Sequence, residues 1–323
     1  MKAIVYERYG SPDVLELREV TKPSPKNNEL LIKVNATTVT SGDWRARSLE
    51  MPAGFGFLGR LVFGVSGPRQ PILGTELSGD IEAVGKDVRK FKVGDQVFAF
   101  TGASMGCHAE FKCISQDASV ALKPANLSYD EAAALSFGGT TALNFFRRAK
   151  LQSGEKVLIN GASGGVGTAA VQLAKHFGAE VTAVSGGANL EMVRALGADH
   201  VIDYSKQDFT ANGETYDVIV DTVGTTPFSR SKRSLKKNGR LLLVLGGLAD
   251  MLRAPWVSMT SDKKVIAGPA TDRAEDLRFL AGLAEGGEFK PVIGRRYPLD
   301  QIREAHAYVD SGRKRGNVVI TVA

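Results

Sequence analysis

The order of apolar and polar positions predicts a strand-rich first part of the chain. Short apolar runs separated by Gly, Pro and Asn are typical of β-strands; they cover residues 1–8, 15–20, 29–38, 76–84, 96–99 and 109–114. Ser128, followed three residues later by Glu131, has the spacing of a capping box and predicts an alanine-rich helix through residue 148. The strands before it predict a β-barrel-like domain.

From residue 156 onward, strand and helix patterns alternate, which predicts a parallel, doubly wound sheet. The segments are 156–160, 168–177, 180–184, 190–196, 200–203, 217–221, 228–235, 240–245 and 264–267. A helical run at 274–284 then leads to strand-like pieces at 292–297 and 317–322. Because a terminal strand needs a sheet to join, we expect the chain to return to its first domain. The predicted domains are therefore residues 1–123 with 271–323, and an inserted domain of residues 124–270.

Residues 161–167 read Gly-Ala-Ser-Gly-Gly-Val-Gly and join a predicted strand to a predicted helix. Such a turn lets the backbone approach a pyrophosphate, whose charge then lies against the free N–H groups and the positive end of the helix dipole. The strand before the turn, the helix after it and the further strands beyond agree with a dinucleotide fold. The sequence therefore predicts a dinucleotide site at this turn.

The next predicted strand runs into Ser185, where an NAD enzyme usually carries a carboxylate that holds the ribose 2′-hydroxyl. Since no carboxylate stands there, the sequence favours NADP(H). Candidate partners of the 2′-phosphate are Ser185, Asn189 and Tyr204, with a cation from Arg313 or Arg315. The alternative is that Tyr204 is a packing residue and that the two arginines are solvated.

Composition agrees with a globular enzyme of 323 residues, with 43% hydrophobic and 24% charged residues. The net charge of +6 is scattered, so we expect no nucleic-acid partner. Two cysteines and an N-terminus unlike a signal peptide predict a cytoplasmic protein. The apolar segment 53–65 is too short to span a membrane; it predicts a loop beside a substrate cleft, with a membrane-touching loop as the alternative.

Motifs at residues 74–85, 93–97, 161–167, 196–204 and 290–306 follow one another along the chain. In this order they resemble the medium-chain dehydrogenase/reductase superfamily, and specifically its zinc-independent quinone oxidoreductase (zeta-crystallin-like) branch. The resemblance implies an α/β protein with a GroES-like β-barrel domain split between the N- and C-termini. It further implies an inserted Rossmann domain with a doubly wound parallel sheet, an active site in the cleft, and a homodimer.

The resemblance also identifies where zinc-dependent relatives carry their metal ligands. The matching positions here are Ser41 or Gly42, Thr75 and approximately Phe137, none of which is a strong zinc ligand. We therefore expect no catalytic zinc and no other metal.

For the reacting end, the resemblance implies Asp43, Arg45 and Thr141 as catalytic residues. Arg45 stands where relatives often carry a tyrosine, and Thr40 replaces a usual asparagine. Asp43 could equally cap a short turn, and Thr141 could be a buried helix residue.

The cofactor contacts implied by the resemblance are mostly backbone contacts, taken in order from the pyrophosphate to the carboxamide. They are Gly161, Ser163, Gly164, Gly165, Val166, Gly167, Ser185, Asn189, Tyr204, Val223, Gly224, Leu245, Gly246, Gly247, Gly268, Pro269 and Ala270, with Arg315 and Asn317 from the C-terminal segment.

Without a Lewis acid, acceptors that take hydride readily become the expected substrates. The sequence therefore predicts an NADPH-dependent reductase of quinones or α,β-unsaturated carbonyls. Two alternatives stay open: a trans-2-enoyl thioester reductase on the same fold, and a weakly catalytic NADPH-binding structural or sensor protein.

Overall fold

The computed structural model describes residues 1–271 and 273–322, so positions 272 and 323 of the predicted domain ranges lie outside it. The strands are β1 (Lys2–Val5), β2 (Glu16–Glu19), β3 (Glu29–Thr38), β4 (Glu76–Val84), β5 (Gln96–Phe100), β6 (Phe111–Ser115), β7 (Val120–Leu122), β8 (Lys156–Asn160), β9 (Glu180–Ser185), β10 (His200–Asp203), β11 (Tyr216–Asp221), β12 (Leu235–Leu243), β13 (Lys264–Ala267), β14 (Ile293–Pro298) and β15 (Asn317–Thr321). The α-helices are α1 (Ser41–Ser48), α2 (Gly56–Phe63), α3 (Tyr129–Ala133), α4 (Ser136–Ala149), α5 (Gly165–His176), α6 (Leu190–Ala195), α7 (Phe228–Ser231), α8 (Leu248–Thr260), α9 (Ala274–Glu285) and α10 (Ile302–Asp310).

The chain divides into two compact units. The first contains Met1–Met51, Gly56–Phe137 and Asp272–Ala323, and the second contains Pro52–Phe55 and Gly138–Thr271. The division after Phe137 lies further along the chain than the sequence-based boundary at residue 123.

The first unit is built on a sheet with the strand order β14-β15-β3-β4-β5-β7, to which β6 is added by pairing with β3. The last strand, β15, runs antiparallel to β3, with Val319 opposite Thr38. The C-terminal segment therefore completes the N-terminal sheet, which confirms the predicted split domain. Leu30, Ile32 and Leu77 lie in the core of this sheet and are fully buried.

A second core of the first unit lies where α1 and α10 pack together. Ile302 and Ala305 of α10 belong to the same buried apolar cluster as Ala46 of α1. Beside them, Arg47 is fully buried, and its Nη2 donates to both carboxylate oxygens of Asp310 at 2.7 and 2.6 Å. This ion pair connects two helices that are more than 250 residues apart in the chain.

The second unit contains a six-stranded sheet in the order β10-β9-β8-β11-β12-β13, with every neighbouring pair parallel. Numbered from β8, this is the 3-2-1-4-5-6 order of the Rossmann fold, which confirms the predicted doubly wound sheet. Leu158, Ile219 and Leu241 form its buried core. The order of the strands reverses between β8 and β11, so the ligand crevice is expected at their carboxyl ends.

Three local predictions differ from the structure. The predicted helix from Ser128 to 148 is two helices, because the buried Glu76 carboxylate accepts the N–H of Phe137 at 2.5 Å and opens a new first turn in α4. The helix predicted over 228–235 ends at Ser231, since Leu235 already pairs with Tyr216 in the sheet.

The third difference is the apolar segment after α1, predicted as a loop. It forms α2, because Gly59 fits closely against Met51 and Phe63 packs on the core of the first unit. The glycines that favoured a loop allow the close packing of a helix.

Candidate active site

The glycine-rich turn and the start of α5 form a cradle that fits a pyrophosphate. Gly161 has a φ of +81°, and a Cβ there would lie 2.5 Å from Thr222 Oγ1. At Gly167 a Cβ would lie 2.1 Å from the carbonyl oxygen of Gly161. At Gly164, by contrast, the nearest heavy atom would be 3.7 Å away. Packing therefore requires glycine at residues 161 and 167, whereas at Gly164 it leaves room for a Cβ.

Gly164 is also the N-cap of α5, and it has no side chain with which to cap the helix. The N–H groups of the first turn, from Gly165, Val166 and Gly167, are therefore left for an external acceptor. A helix end with no side chain in the way and with unused N–H donors is what a phosphate group needs. The predicted pyrophosphate site is consistent with this geometry, and its ligand contacts stay a prediction.

A pocket of about 390 Å³ lies at the carboxyl ends of the central strands of the second unit. Three predicted residues line it, namely Gly161, Tyr204 and Val223. Sequence reasoning missed further lining residues, among them Gln207, Asp208, Thr225 and Arg230. Arg230 is paired with Asp208 at 2.8 Å. The signal that could have found them is their position just after β10 and β11, where a doubly wound fold binds its ligand.

The loop after β11 is shaped by Asp221, a buried residue that sequence reasoning also missed. Its carboxylate accepts the N–H groups of Val223, Gly224 and Thr226 at 2.8 to 3.1 Å, and it accepts the Asn160 amide at 3.1 Å. The loop that carries two predicted adenine contacts is thus fixed by one carboxylate at the end of a strand.

At the ribose end, a carboxylate does lie near Ser185, and it comes from the neighbouring strand. Asp203 is opposite Ser185 in the β9–β10 pairing, and its Oδ2 lies 2.7 Å from the place of a Cβ on Gly187. Hydrogen bonds from the Ser205 hydroxyl and N–H lower the pKa of Asp203. Tyr204, which follows it, is 68% exposed. This corner therefore contains an ionised acid beside the residues predicted to bind a phosphate.

Asn189, the third predicted partner of the 2′-phosphate, ends the short 3₁₀ turn Gly187–Asn189. Its N–H donates to the carbonyl of Gly186 at 2.9 Å, and its side chain is half-buried.

The residues predicted for the nicotinamide end lie after β12 and β13. Leu245, Gly246 and Gly247 connect β12 to α8, and a Cβ on Gly224 would lie 3.6 Å from that of Leu245. Gly268, Pro269 and Ala270 follow β13 directly. The structure brings the 223–224 and 245–247 loops together within the second unit.

Helix α4 binds the segment that follows β13. Asn144 donates to Thr271 Oγ1 at 2.8 Å, and Arg148 donates to the carbonyl of Ala267 at 2.5 Å. Thr141 is three residues before Asn144, so it lies on the same face of the helix. This places Thr141 on the helix face that meets residues 267–271, in agreement with the predicted carboxamide contacts. Its direct role stays a prediction.

In the first unit, Asp43 lies in the first turn of α1, and its carboxylate caps the start of this helix. Its Oδ2 accepts the N–H and the hydroxyl of Thr40 at 2.7 and 2.6 Å, and its Oδ1 accepts the N–H of Gly74 at 3.0 Å. Thr40, which replaces the usual asparagine, completes the capping box from the other side. The observed contacts are those of the capping alternative, while contact between Asp43 and the nicotinamide stays a prediction.

Arg45 lies on α1 about 160° round the helix from Asp43. Its side chain is half-buried, and this burial lowers the pKa of the guanidinium. Within residues 1–271 and 273–322, no carboxylate pairs with it, and its neighbour is the ring of Trp44 at 5.6 Å. An arginine that is partly desolvated and lacks an acidic partner can donate to an anionic oxygen of a ligand.

The three positions that match zinc ligands in zinc-dependent relatives do come together. A Cβ on Gly42 would lie 3.6 Å from the ring of Phe137 and 3.8 Å from the methyl group of Thr75. A ring and a methyl group supply no donor to a metal. Across the described part of the chain, no three His, Cys, Asp or Glu side chains are grouped so that they could hold a metal ion. The donor set at this position does not fit zinc.

Glu76, adjacent to Thr75, is fully buried. It accepts hydrogen bonds from the Thr38 hydroxyl and the Phe137 N–H, yet burial raises the pKa of Glu76 to about 8.

Arg315 and Asn317, the predicted C-terminal contributions, belong to the first unit. The amide of Asn317 is already bonded, since both its N–H and its Nδ2 donate to the carbonyl of Val292 at 2.7 and 3.1 Å. The N–H of Arg315 donates to the Tyr308 hydroxyl at 3.2 Å. Their roles in cofactor binding stay predictions.

Together, the Rossmann unit with its phosphate cradle and the split β unit define the class: a two-domain oxidoreductase that uses a nicotinamide dinucleotide. Two family models match the chain, the alcohol dehydrogenase GroES-like domain over residues 26–143 and a zinc-binding dehydrogenase domain over residues 196–320. The chain belongs to the medium-chain dehydrogenase/reductase superfamily, in its quinone oxidoreductase branch.

Individual relatives agree with this assignment. The 2-methylene-furan-3-one reductase of Solanum lycopersicum is 34% identical over 332 residues, which cover 99% of this chain and 79% of the relative. An NADPH-dependent alkenal/one oxidoreductase of Arabidopsis thaliana is 29% identical with the same coverage. The solved structure of the quinone oxidoreductase from Coxiella burnetii superimposes with a TM-score of 0.89 at 30% identity, covering 100% of this chain and 99% of that one. The protein is an oxidoreductase enzyme.

Proposed function

We propose that this protein is an NADPH-dependent, zinc-independent reductase that transfers hydride to quinones or to α,β-unsaturated carbonyls. The observation that carries the proposal is the Phe137 ring and the Thr75 methyl group at the position of the zinc ligands, in a chain with a dinucleotide fold. Without a Lewis acid, unactivated alcohols and ketones are poor substrates, whereas electron-poor alkenes and quinones accept hydride directly. The names of the relatives support this acceptor class: a 2-methylene-furan-3-one reductase, an NADPH-dependent alkenal/one oxidoreductase and a quinone oxidoreductase.

When bound, the nicotinamide would supply the hydride. The residues of this chain would bind the cofactor, orient its nicotinamide and stabilise the negative charge that develops on the acceptor. The first turn of α5 binds the pyrophosphate through Gly165 and Val166 N–H groups. Thr141 orients the nicotinamide, and Asp43 fixes the start of α1. The Arg45 guanidinium donates hydrogen bonds to the acceptor oxygen as it becomes negative, and solvent delivers the final proton.

The proposed role of Arg45 predicts a graded series of variants. Arg45→Met is expected to lower kcat by about 10- to 100-fold, because the developing oxyanion loses a charged donor. Arg45→Lys keeps the charge and is expected to recover part of the rate. The measurement is steady-state kinetics of the three proteins with one enone and one quinone, together with the Kd of each protein for NADPH. Equal kcat values in all three proteins would remove Arg45 from the reaction.

The proposed preference for NADPH rests on Ser185, Asn189 and Tyr204 as partners of the 2′-phosphate. The negative charge of Asp203 opposes this preference, because it would repel the phosphate. The Ser205 donors offset part of the Asp203 charge. Asp203→Asn is therefore expected to raise the ratio of NADH to NADPH dissociation constants, since it removes a negative charge beside the 2′-phosphate. Fluorescence titration with both cofactors measures it. Equal affinity of the unaltered protein for NADH and NADPH would refute the NADP(H) assignment.

We also propose a cytoplasmic homodimer. The two cysteines, Cys107 and Cys113, are free thiols, which fits a reducing compartment. Strand β13 is at an edge of its sheet, so it can pair with the same strand of a second copy. Light scattering on the purified protein tests the dimer.

The decisive experiment follows NADPH oxidation at 340 nm with a panel of quinones, alkenals, 2-enones and 2-enoyl thioesters, before and after dialysis against a chelator. Turnover of quinones or enones that persists after chelation is the expected result. Loss of turnover on chelation, with recovery on adding zinc, would contradict zinc independence. Tight NADPH binding with no acceptor reduced would replace the reductase with a binding protein.

A further inference from the structure

Helix α2 has one packed face and one apolar face in solvent. Its packed face contains Gly59, where a Cβ would lie 2.6 Å from Met51 Cγ, and Phe63, which packs on the core. Its outer face carries Phe57, Leu58, Leu61 and Val62, and Val65 follows the helix; their exposed fractions are 74%, 44%, 43%, 57% and 62%. At 100° per residue, the four helical side chains span an arc of about 140°. We call these five residues the α2 face.

The charged side chains of the segment that carries the α2 face are both positive. Between residues 51 and 75 the only charged side chains are Arg60 and Arg69. Arg60 is exposed on the flank of the arc, with its guanidinium 3.4 Å from the carbonyl of Val65. The N–H of Arg69 donates to the carbonyl of Phe63 at 2.7 Å, which places this second exposed arginine at the C-terminal end of the helix. The face therefore has an apolar centre with a cationic border.

We propose that the α2 face docks on an anionic lipid surface. Its apolar side chains would enter the boundary between headgroups and acyl chains, and the two guanidinium groups would bind lipid phosphates, as in interfacial amphipathic helices. Within the described part of the chain, none of the helices combines the length and the apolarity that crossing a membrane requires. The proposal goes beyond the reductase activity and does not depend on which acceptor is reduced.

The charges favour lipid over a second copy of this chain. In a two-fold contact the α2 face would meet itself, which brings Arg60 and Arg69 of each copy towards cations of the other. The segment has no acidic residue to pair with them. An anionic lipid surface supplies both the apolar medium and the opposite charge.

The test is co-sedimentation of the full-length protein with vesicles of phosphatidylcholine and phosphatidylglycerol in equal parts, and with vesicles of phosphatidylcholine alone. We expect binding to the anionic vesicles that falls several-fold in about 0.5 M salt and on neutral vesicles. The double variant F57S/L61S is expected to bind about tenfold more weakly, because apolar side chains leave the interface. Arg60→Gln with Arg69→Gln should remove the preference for anionic lipid.

The matched control is V93S/L122S, which changes two apolar side chains that are each 58% exposed outside the α2 face. It should bind like the unaltered protein. Thermal melts establish that the variants fold.

Three outcomes would overturn the proposal. The first is the absence of vesicle binding, or binding that F57S/L61S and the control reduce equally. The second is a change of oligomeric state in F57S/L61S, seen by light scattering, which would make the face an interface between copies. The third is a higher KM of F57S/L61S for a water-soluble quinone without lipid, which would make it a substrate site. The last readout uses turnover, whereas vesicle binding does not, so failure of the reductase function and failure of this proposal are distinguishable.

Discussion

Gly161 and Gly164 lie three residues apart in one turn, and the structure assigns them different reasons for being glycine. Gly161 needs its positive φ and has no room for a Cβ, whereas Gly164 has a φ of −80° and room for a Cβ. Gly161 is therefore required by the fold, whereas Gly164 is expected to be required for close approach of the pyrophosphate.

A pair of alanine substitutions separates the two roles. Gly161→Ala is expected to lower the free energy of unfolding by about 2 kcal/mol or more, through backbone strain and a clash with Thr222. Gly164→Ala should change it by less than about 1 kcal/mol, yet weaken NADPH binding about tenfold by blocking close approach of the pyrophosphate. Urea unfolding and fluorescence titration measure both. If Gly164→Ala left the dissociation constant unchanged, the cradle would lie elsewhere.

Glu76 predicts a dependence of stability on pH. Burial raises the pKa of Glu76 from its ordinary 4.5 to about 8, although hydrogen bonds from Thr38 and Phe137 and the nearby Lys314 act in the opposite direction. Between these two values the folded protein binds more protons at Glu76 than the unfolded chain. Its contribution to stability is therefore complete below about pH 4.5 and is lost as the pH rises through about 8.

Glu76→Gln should remove this slope, because the amide is neutral at every pH. Its single oxygen can still accept the Phe137 N–H, while its NH2 group can donate to the Thr38 hydroxyl. The measurement is urea unfolding of both proteins from about pH 5 to pH 9. Parallel curves for the two proteins would show that Glu76 does not titrate in this range.

At the scale of elements, the contact between α1 and α10 combines an apolar cluster with one ion pair, whose guanidinium is buried and whose carboxylate is 27% exposed. Arg47 is fully buried, and its Nη2 is held by Asp310. Because a buried guanidinium without its partner is strongly unfavourable, Asp310→Asn is expected to destabilise the protein by about 2 to 4 kcal/mol.

A second aspartate supplies the control. Asp117 pairs with Lys90 where both side chains are 58% exposed, so Asp117→Asn should change stability much less than Asp310→Asn does. Thermal and urea unfolding of the two variants make the comparison. Equal losses of unfolding free energy in the two variants would mean that the burial of Arg47 does not make its ion pair more important for stability.

The elements also show what the sequence could predict. Residues 161–167 were predictable, because strand, turn and helix are adjacent in the chain. Asp203 was not, because it reaches Ser185 only through the pairing of β9 with β10. Helix α2 was missed for another reason: its glycines are typical of a loop, and its apolar side chains point to solvent, so the pattern of a buried helix face is absent.

On the scale of the whole molecule, cofactor binding should stabilise the folded protein. NADPH at about 100 times its dissociation constant is expected to add about 2.7 kcal/mol, which raises the unfolding midpoint by a few degrees. Differential scanning calorimetry measures this midpoint for the unaltered protein with NADPH and with NADH, and for Gly164→Ala with NADPH. The same midpoint with and without saturating NADPH would contradict binding to the native state.

The overall architecture was the most predictable level. Alternation of strands and helices after residue 156 specified the Rossmann sheet, and the unpaired terminal strand specified the return to the first unit. The surroundings of the predicted catalytic residues were harder to predict from the sequence. Arg45 and Asp43 are contacted by segments distant in sequence, such as the turn at Gly74.

The pairing of β15 with β3 has a consequence for the order of events during synthesis. The six strands of the second unit all lie between residues 156 and 267, so that sheet can form as soon as they have left the ribosome. The sheet of the first unit stays incomplete until residues 317–321 emerge, although β3 was made almost 280 residues earlier. The nascent chain must therefore carry an unfinished N-terminal sheet while the Rossmann unit is already complete. The part of the β3 edge at residues 36–38 stays unpaired until the last strand arrives, whereas residues 29–33 of that edge already pair with β6.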